Sequence, residues 1–404
     1  MNRRTLLRTV GLAGTVGVSG IGGCLGTLAG GPGAFGGDAE WRYGVGGYVD
    51  AVAQGRVLGS EDSSAEGARG GVFALDATSG RREWRYGRSN GLTGYTDLVV
   101  RDAVYFGVGD DAVGNGSGEL YAVEFDGSER WVREFGSVYR APRIADGVVY
   151  VGTDDGVVRA VDATTGTVRW ATEFGESSPN VFAVDDAVYA GDESLAAFDR
   201  EDGSVRWDHA VDDGHVSEVV VDGDVAYVEG YDTVAAFDRG TELWYLDRAG
   251  KLKQFAFGHL LVDHGDRLSA FTAADGQRAW SVAADRARVA VGDDRVYVGD
   301  EEGSGVVAVD PDDGTKLWDD DLGGEPAETV TVAGIGGESR KGDTQSLLFV
   351  EAGDERVLGF DADGERQFDA SVEGDIQSLF VDERVFVGTE EAVYALDPAE
   401  RTPS

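Results

Sequence analysis

The residues that could do chemistry in this chain are few and widely spaced. Cys24 is the single cysteine, and the histidines lack the spacing of a metal-binding motif. The four histidines are His209, His215, His259 and His264. The segment 110–119 carries carboxylates that could hold calcium, but their spacing departs from that of a calcium-binding loop. Neither a Gly-x-Ser-x-Gly nucleophile motif nor a phosphate-binding Gly-x4-Gly-Lys motif occurs. The sequence therefore predicts no catalytic residue, no cofactor-binding residue and no metal ligand.

Cys24 is instead placed for attachment of a lipid. Arg3 and Arg4 precede an uncharged, weakly apolar run that resembles a twin-arginine export signal and is too short to span a hydrocarbon core of roughly 30 Å. The segment Ile21-Gly22-Gly23-Cys24 resembles a lipobox, in which the cysteine sulfur receives a diacylglycerol group. We predict a twin-arginine-type signal peptide over 1–23 and a flexible Gly-rich tether over 24–39. The protein is expected to be exported and held by its lipid on the outer face of the cytoplasmic membrane.

The charge of the chain excludes one class of partner. The 404 residues include 75 Asp and Glu but only 35 Lys and Arg, which gives a formal net charge of −40. Such a charge repels the phosphate backbone, so no nucleic-acid partner is expected. The acidic residues are scattered and most basic residues are arginine, a pattern that resembles proteins of extreme halophiles. There, a Debye length of roughly 3 Å at molar salt screens the repulsion between carboxylates.

An aromatic residue recurs along most of the chain, always four residues after a glycine. The aromatic residues are Trp84, Trp131, Trp170, Trp207, Trp244, Trp280, Trp318 and Phe368. The glycines are Gly80, Gly127, Gly166, Gly203, Gly240, Gly276, Gly314 and Gly364. In several units an aspartate stands four residues before the glycine, as Asp76 and Asp162 do. We interpret each unit as a hairpin in which the aspartate caps the turn and the glycine supplies a positive φ.

A second pair of strands precedes each hairpin, as around the turn at Asp146-Gly147, so each unit is predicted to hold four short antiparallel strands. Sheets of this kind bury both faces when they are stacked radially, which predicts an all-β fold, a β-propeller over 40–398 with a C-terminal tail over 399–404. Trp41 supplies an aromatic residue beyond those of the complete units. The strand around Trp41 is therefore predicted to complete the last blade and close the ring. Counting the units gives eight or nine blades.

The run from Ala160 to Trp170 resembles the tryptophan-docking motif of quinoprotein-type propellers, and the runs 72–84 and 306–318 repeat it. This PQQ-like family includes the pyrroloquinoline quinone (PQQ) dehydrogenases and the BamB-like lipoproteins. The resemblance implies that the tryptophans, and Phe368 in their place, pack between blades. It also implies that enzymes of the family need a vicinal disulfide, a calcium ion held by carboxylate and amide side chains, and a catalytic aspartate. Cys24 alone cannot form a vicinal pair.

Ligands of propellers usually meet one face of the ring, near the starts of the innermost strands. In this chain those positions hold polar and aromatic side chains, of which we select eight as the predicted partner-binding face. They are Tyr48, Asp50, Tyr95, Asp97, Tyr139, Arg140, Asn180 and His215. The leading hypothesis is a non-catalytic, surface-anchored scaffold that binds a protein of the cell envelope or the extracellular space. One alternative is an oxidoreductase of the alcohol or sugar dehydrogenase type, dependent on PQQ with calcium or on another quinone. A second alternative is a sensor ectodomain.

Overall fold

Short runs of β-branched and aromatic residues, such as Val148-Val149-Tyr150-Val151, favour extended backbone throughout the chain. The computed structural model of the protein describes residues 39–61, 71–87, 96–109, 118–175, 179–211, 214–303, 305–335 and 345–398. Within these ranges the strands form nine four-stranded antiparallel sheets, each of them one blade of a β-propeller. The all-β prediction is confirmed, and the choice between eight and nine blades is settled as nine for the part of the chain described.

The strands follow one another around the ring, and the first of them, β1 (Ala39–Tyr43), belongs to the last blade. Blade 1 comprises β2 (Gly47–Ala53), β3 (Arg56–Glu61), β4 (Val72–Asp76) and β5 (Arg82–Tyr86). Blade 2 comprises β6 (Val99–Val100), β7 (Val104–Val108), β8 (Gly118–Val123) and β9 (Glu129–Phe135). Blade 3 comprises β10 (Arg143–Ala145), β11 (Val148–Thr153), β12 (Val157–Asp162) and β13 (Val168–Glu173). Blade 4 comprises β14 (Asn180–Val184), β15 (Ala187–Gly191), β16 (Ser194–Asp199) and β17 (Val205–Ala210). Blade 5 comprises β18 (Glu218–Asp222), β19 (Val225–Glu229), β20 (Thr233–Asp238) and β21 (Thr241–Asp247).

The remaining blades follow the same order. Blade 6 comprises β22 (Lys251–Ala256), β23 (His259–Asp263), β24 (Arg267–Thr272) and β25 (Arg278–Ala283). Blade 7 comprises β26 (Arg288–Val291), β27 (Val296–Gly299), β28 (Val306–Val309) and β29 (Lys316–Asp320). Blade 8 comprises β30 (Ala327–Ile335), β31 (Gln345–Ala352), β32 (Arg356–Phe360) and β33 (Arg366–Ser371). Blade 9 comprises β34 (Ile376–Val381), β35 (Val385–Thr389), β36 (Val393–Leu396) and then β1.

Burial follows the position of a strand within its blade. The two middle strands, such as β7 and β8, are buried along their whole length because a neighbouring blade covers each face. The outermost strands, such as β13 and β17, are mostly exposed or half-buried. The apolar core accordingly lies between blades. One cluster, for example, joins Tyr105 and Leu120 of blade 2 to Val149 and Val151 of blade 3.

The repeated tryptophans hold consecutive blades together. The indole Nε1 of Trp131 donates a hydrogen bond of 2.9 Å to the carbonyl of Ala163 in the hairpin of the next blade. The six other tryptophans with such a bond reach the equivalent carbonyl at 2.7 to 3.1 Å. Gly166 has a φ of +67°, a conformation that residues with a Cβ rarely adopt. A Cβ at this position would also lie 2.8 Å from the Trp131 ring, so only glycine fits here. The predicted aspartate cap is also present, since Asp162 Oδ1 accepts from the amide of Thr165 at 2.9 Å.

The ring is closed by the N-terminal strand, as predicted. Strand β1 pairs antiparallel with β36, and Trp41 lies opposite Ala395 in the register. Trp41 then donates its indole hydrogen bond to the Ala77 carbonyl in blade 1 at 3.1 Å. Phe368 is 5% exposed and packs at the seam between blades 8 and 9.

Trp207 departs from the pattern. The hairpin of blade 5 has a turn of two residues, Arg239 and Gly240, both with positive φ, where blade 3 has a longer turn. Within the described residues, the Trp207 indole has no carbonyl acceptor of the kind that the other tryptophans find. Trp207 still packs against Gly240, so this seam keeps the ring contact without the hydrogen bond.

Candidate partner-binding face

The two sides of the ring carry different connections. On one side, here called the loop face, each outermost strand leads into the innermost strand of the next blade, and each second strand leads into the third. The loop face includes the described residues of the connections 136–142, 154–156, 211–217 and 230–232. The opposite side, here called the turn face, carries the glycine hairpins and includes 77–81, 146–147 and 163–167. Seven of the eight predicted partner-binding residues lie in the described ranges. Asp97, Tyr139, Arg140 and His215 stand in loop-face connections, and Tyr48, Asp50 and Asn180 lie on innermost strands.

Exposed aromatic side chains distinguish the loop face. Tyr139 is 62% exposed and Tyr231 is 69% exposed, and Tyr48 stands at the start of β2 with 39% of its surface exposed. The other large apolar side chains exposed within the described residues lie on outermost strands; they are Val168, Val205, Leu243, Tyr245 and Leu317. Single exposed apolar residues are ordinary, but tyrosines are enriched where proteins bind one another. The loop face is therefore the better candidate for binding.

Arg140 ties three blades together at the mouth of the ring. Its Nη1 donates to the Ser217 carbonyl at 3.1 Å, and its Nη2 forms an ion pair with Glu218 of blade 5. Its guanidinium carbon lies 4.5 Å from the ring centroid of Phe182 in blade 4. The Arg140 side chain is therefore already satisfied by intramolecular partners, and its guanidinium group orders the loop face.

Lys251 forms a comparable group on blades 5 and 6. Its Nζ lies 3.1 Å from Glu229 Oε1 and 5.9 Å from the Tyr231 ring centroid. Glu229 is 4% exposed, and its other oxygen accepts from the backbone amide of Leu252 at 2.6 Å. The buried carboxylate thus fixes the start of β22 and holds a cation beside an exposed aromatic ring.

Asp50 and Asp97 lie close enough for their charges to interact at the seam between blades 1 and 2. Burial raises the pKa of Asp50 to about 7, a hydrogen bond from Ser60 opposes the rise, and the charge of Asp97 adds to it. Asp50 Oδ2 is inaccessible and has no hydrogen-bond partner among the described residues, whereas Asp97 is exposed. Asp50 is therefore unsuited to contact a partner directly.

Glu351 is a second carboxyl group with a raised pKa. It lies near the end of β31 and is 5% exposed. Burial raises its pKa to about 7; the Thr329 hydroxyl stabilises the charged form, and Glu328 destabilises it. This part of blade 8 is therefore sensitive to pH near neutrality.

The other predicted residues have different surroundings. The Tyr48 hydroxyl donates to Gln377 Oε1 at 3.2 Å, which joins blades 9 and 1. Asn180 is half-buried as the first residue of β14, and His215 is exposed in the connection 211–217. Tyr95 lies outside the described residues, as do Arg3, Arg4, Cys24 and the predicted segments 1–23 and 399–404. Most of the predicted tether, 24–39, lies outside them as well.

The described residues contain no group of three or more His, Cys, Asp or Glu side chains arranged to hold a metal ion. A small cleft between blades 4 and 5 is lined by His209, Phe237 and Tyr245 among others. Among the described residues, no helix has the length and apolar character needed to cross a membrane.

The family of the chain follows from comparison with known proteins. The model of the family described as outer membrane protein assembly factor BamB matches residues 109–244, 191–337 and 264–400, which together exceed half of the chain. The chain belongs to the BamB family. No curated protein matches it in a sequence search.

Solved structures share the fold of this BamB-family chain. The crystal structure of BamB from Moraxella catarrhalis superimposes with a TM-score of 0.51 at 19% identity, over 74% of this chain and 95% of that one. The computationally designed Ika8 protein superimposes with a TM-score of 0.53 at 16% identity, over 89% of this chain and 98% of that one. At these identities the likeness establishes the propeller fold alone.

Some residues of the loop face were not among the predicted eight. These residues are Phe182, Glu229 and Tyr231. They lie on strands or in connections where the repeat has no recurring residue type that could indicate a binding position. One signal in the sequence pointed to Tyr231, because an aromatic residue between Gly230 and Asp232 occupies a short turn, where burial is rare.

Proposed function

We propose that the protein is a non-catalytic scaffold, anchored at the cell surface, that binds a protein partner of the cell envelope through its loop face. The observation that carries the proposal is the exposure of Tyr139 and Tyr231, at 62% and 69%, on one face of the ring. Tyrosine supplies a large contact area at a small cost in side-chain entropy. Membership of the BamB family supports the proposal, because the family is described as an assembly factor for outer membrane proteins.

The rigidity of the loop face supports a binding role as well. Arg140 is fixed by Glu218 and Phe182, so the mouth of the ring is ordered before a partner arrives. A surface ordered in advance loses less entropy on association. The family is described as an outer membrane protein assembly factor. We propose a protein partner for this chain and do not assign it that role in assembly.

Export and lipid anchoring complete the proposal. The twin-arginine-type segment with Arg3 and Arg4, and the lipobox-like segment ending at Cys24, would place the propeller outside the cytoplasmic membrane. The Gly-rich tether would separate the anchor from the ring.

Site-specific cross-linking in cells tests the scaffold. A photoreactive phenylalanine analogue is placed at Tyr139 on the loop face or, as a matched control, at Thr164, which is equally a surface position on the turn face. The expected result is a discrete adduct with one protein, identified by mass spectrometry, from position 139 and none from position 164. Absence of an adduct at 139, or the same adducts at both positions, would overturn the proposal.

The enzyme alternative is tested on the purified protein. The mature form is mixed with PQQ and calcium in high salt, and binding is followed by calorimetry beside a dye-linked assay with alcohols and aldoses. The scaffold proposal expects neither stoichiometric binding nor turnover. Tight binding accompanied by oxidation of a substrate would replace the scaffold by a quinone-dependent oxidoreductase.

A further inference from the structure

The loop face holds its own cations in a recurring arrangement. Arg159, near the start of β12, forms an ion pair with Asp155, and its guanidinium carbon lies 4.9 Å from the ring centroid of Phe135. Arg140 and Lys251, described above, likewise combine a carboxylate with an aromatic ring. An aromatic face attracts a cation through its quadrupole, and a neighbouring carboxylate adds a charge-assisted hydrogen bond. Arg140 stands in the connection before blade 3, Arg159 in blade 3 and Lys251 in blade 6, so the arrangement on the loop face is not confined to one loop.

Tyr139 has the aromatic component of this arrangement without the cation. Its side chain is 62% exposed, and within the described residues no Lys or Arg group lies over its ring. The adjacent Arg140 cannot supply one, because its guanidinium group is held by Glu218 and Phe182. The ring of Tyr139 is therefore open to a cation from another molecule.

The charge of the loop face favours the same kind of ligand. Its described connections contain nineteen Asp or Glu residues and three basic residues, which are Arg140, Arg248 and Arg286. Arg140 and Arg286 are already in ion pairs, the latter with Glu302 at 3.0 Å. A basic partner would be attracted to this surface, whereas an acidic one would be repelled. Contacts over aromatic rings act at short range, so they persist where salt shortens the Debye length to roughly 3 Å.

We propose that the protein partner presents a basic segment to the loop face, and that a Lys or Arg side chain of this segment stacks on Tyr139 while its neighbours meet the surrounding carboxylates. The inference rests on the proposed scaffold function and names the chemistry of its partner. It predicts a dependence on the aromatic ring of Tyr139 that general attraction to an acidic protein would not produce.

The test uses the purified full-length protein at constant high salt and two labelled synthetic peptides. One peptide alternates arginine with serine, and the other has glutamine in place of each arginine. Binding is measured by fluorescence anisotropy for the wild type, Tyr139→Phe, Tyr139→Leu and the control Leu243→Ser on outermost strand β21. None of the three substitutions changes the net charge, and circular dichroism checks that each variant is folded.

The arginine peptide is expected to bind the wild type and Tyr139→Phe equally and to bind Tyr139→Leu about two- to fivefold more weakly. Leu243→Ser should bind as the wild type does, and the glutamine peptide should bind none of them. Equal binding of both peptides, or of Tyr139→Leu and the wild type, would overturn the basic partner. If cross-linking at Tyr139 still gave its adduct in that case, the scaffold function would stand; loss of the adduct would remove the scaffold itself.

Discussion

Substitution of the hairpin glycines measures how much the docked tryptophans contribute to the ring. In the Gly80→Ala variant, the new Cβ would lie 2.4 Å from Cε3 of Trp41, at a backbone φ of +64°. Gly147→Ala is the matched control, because Gly147 also lies on the turn face and has a φ of +72°. Among the described residues, no atom lies within 4 Å of the place that its new methyl group would take. Both variants meet the left-handed backbone strain, but Gly80→Ala alone displaces an indole ring.

The strain is worth about 1–2 kcal/mol for each variant. Overpacking against Trp41 adds about 1–3 kcal/mol, so we expect Gly80→Ala to lower the free energy of unfolding by about 2–5 kcal/mol. In a Trp41→Ala background the same substitution should cost no more than Gly147→Ala does, because the ring that it displaces is gone.

Urea denaturation at constant salt, followed by far-ultraviolet circular dichroism, measures these differences without relying on tryptophan fluorescence. Equal losses for Gly80→Ala and Gly147→Ala would refute the argument that the indole ring and the glycine fit one another. A Gly80→Ala loss that is unchanged in the Trp41→Ala background would refute it as well.

Three further predictions concern the anchor, the charge and the pH dependence. Cys24→Ser should release the protein into the medium, as seen by immunoblotting of cell and medium fractions; unchanged membrane retention would reject the lipid anchor. Lowering the salt from molar to about 0.1 M lengthens the Debye length to about 10 Å. Repulsion within a chain of net charge −40 is then less screened, so the melting midpoint should fall. A constant midpoint would count against a halophilic origin. The folded-state pKa of Glu351 is about 7, above its ordinary value of 4.5. The folded protein therefore binds a proton here more tightly than the unfolded chain does. As the pH rises from 4.5 to 7, the free energy of unfolding should fall by about 3 kcal/mol. The Glu351→Gln variant has no such group, so its urea midpoint should rise relative to that of the wild type as the pH rises through this window. A constant difference between the two midpoints would contradict the burial argument.

The fold was predictable because its determinants are local and repeated. Each tryptophan follows a glycine by four residues and packs against the hairpin glycine of the next blade, as Trp131 packs against Gly166. The closing role of Trp41 followed from the same spacing. The shortened turn at Arg239-Gly240 was not recognised, since Gly240 keeps its distance to Trp244 and only the distance to Asp238 changes.

The loop face was less predictable because its contacts join different repeats. Arg140 was selected as a residue for a partner, but its ion pair with Glu218 crosses 78 positions of sequence and depends on how three blades sit around the ring. Tyr231 stands in a connection between the second and third strands, where no repeated residue marks a position. Local sequence patterns report turns and docking residues, whereas contacts across blades depend on the curvature of the whole ring.

Closure of the ring by β1 also sets an order of events during synthesis. Arg42 in β1 reaches Tyr394, a partner that is 352 residues away. At a synthesis rate of about 5–20 residues per second, the closing strand leaves the ribosome roughly 20–70 s before its partner exists. During this interval the nascent chain carries β1 without the strand that it pairs with in blade 9. The pairing of β1 with β36 is therefore the last to become possible, and every other blade can assemble before it.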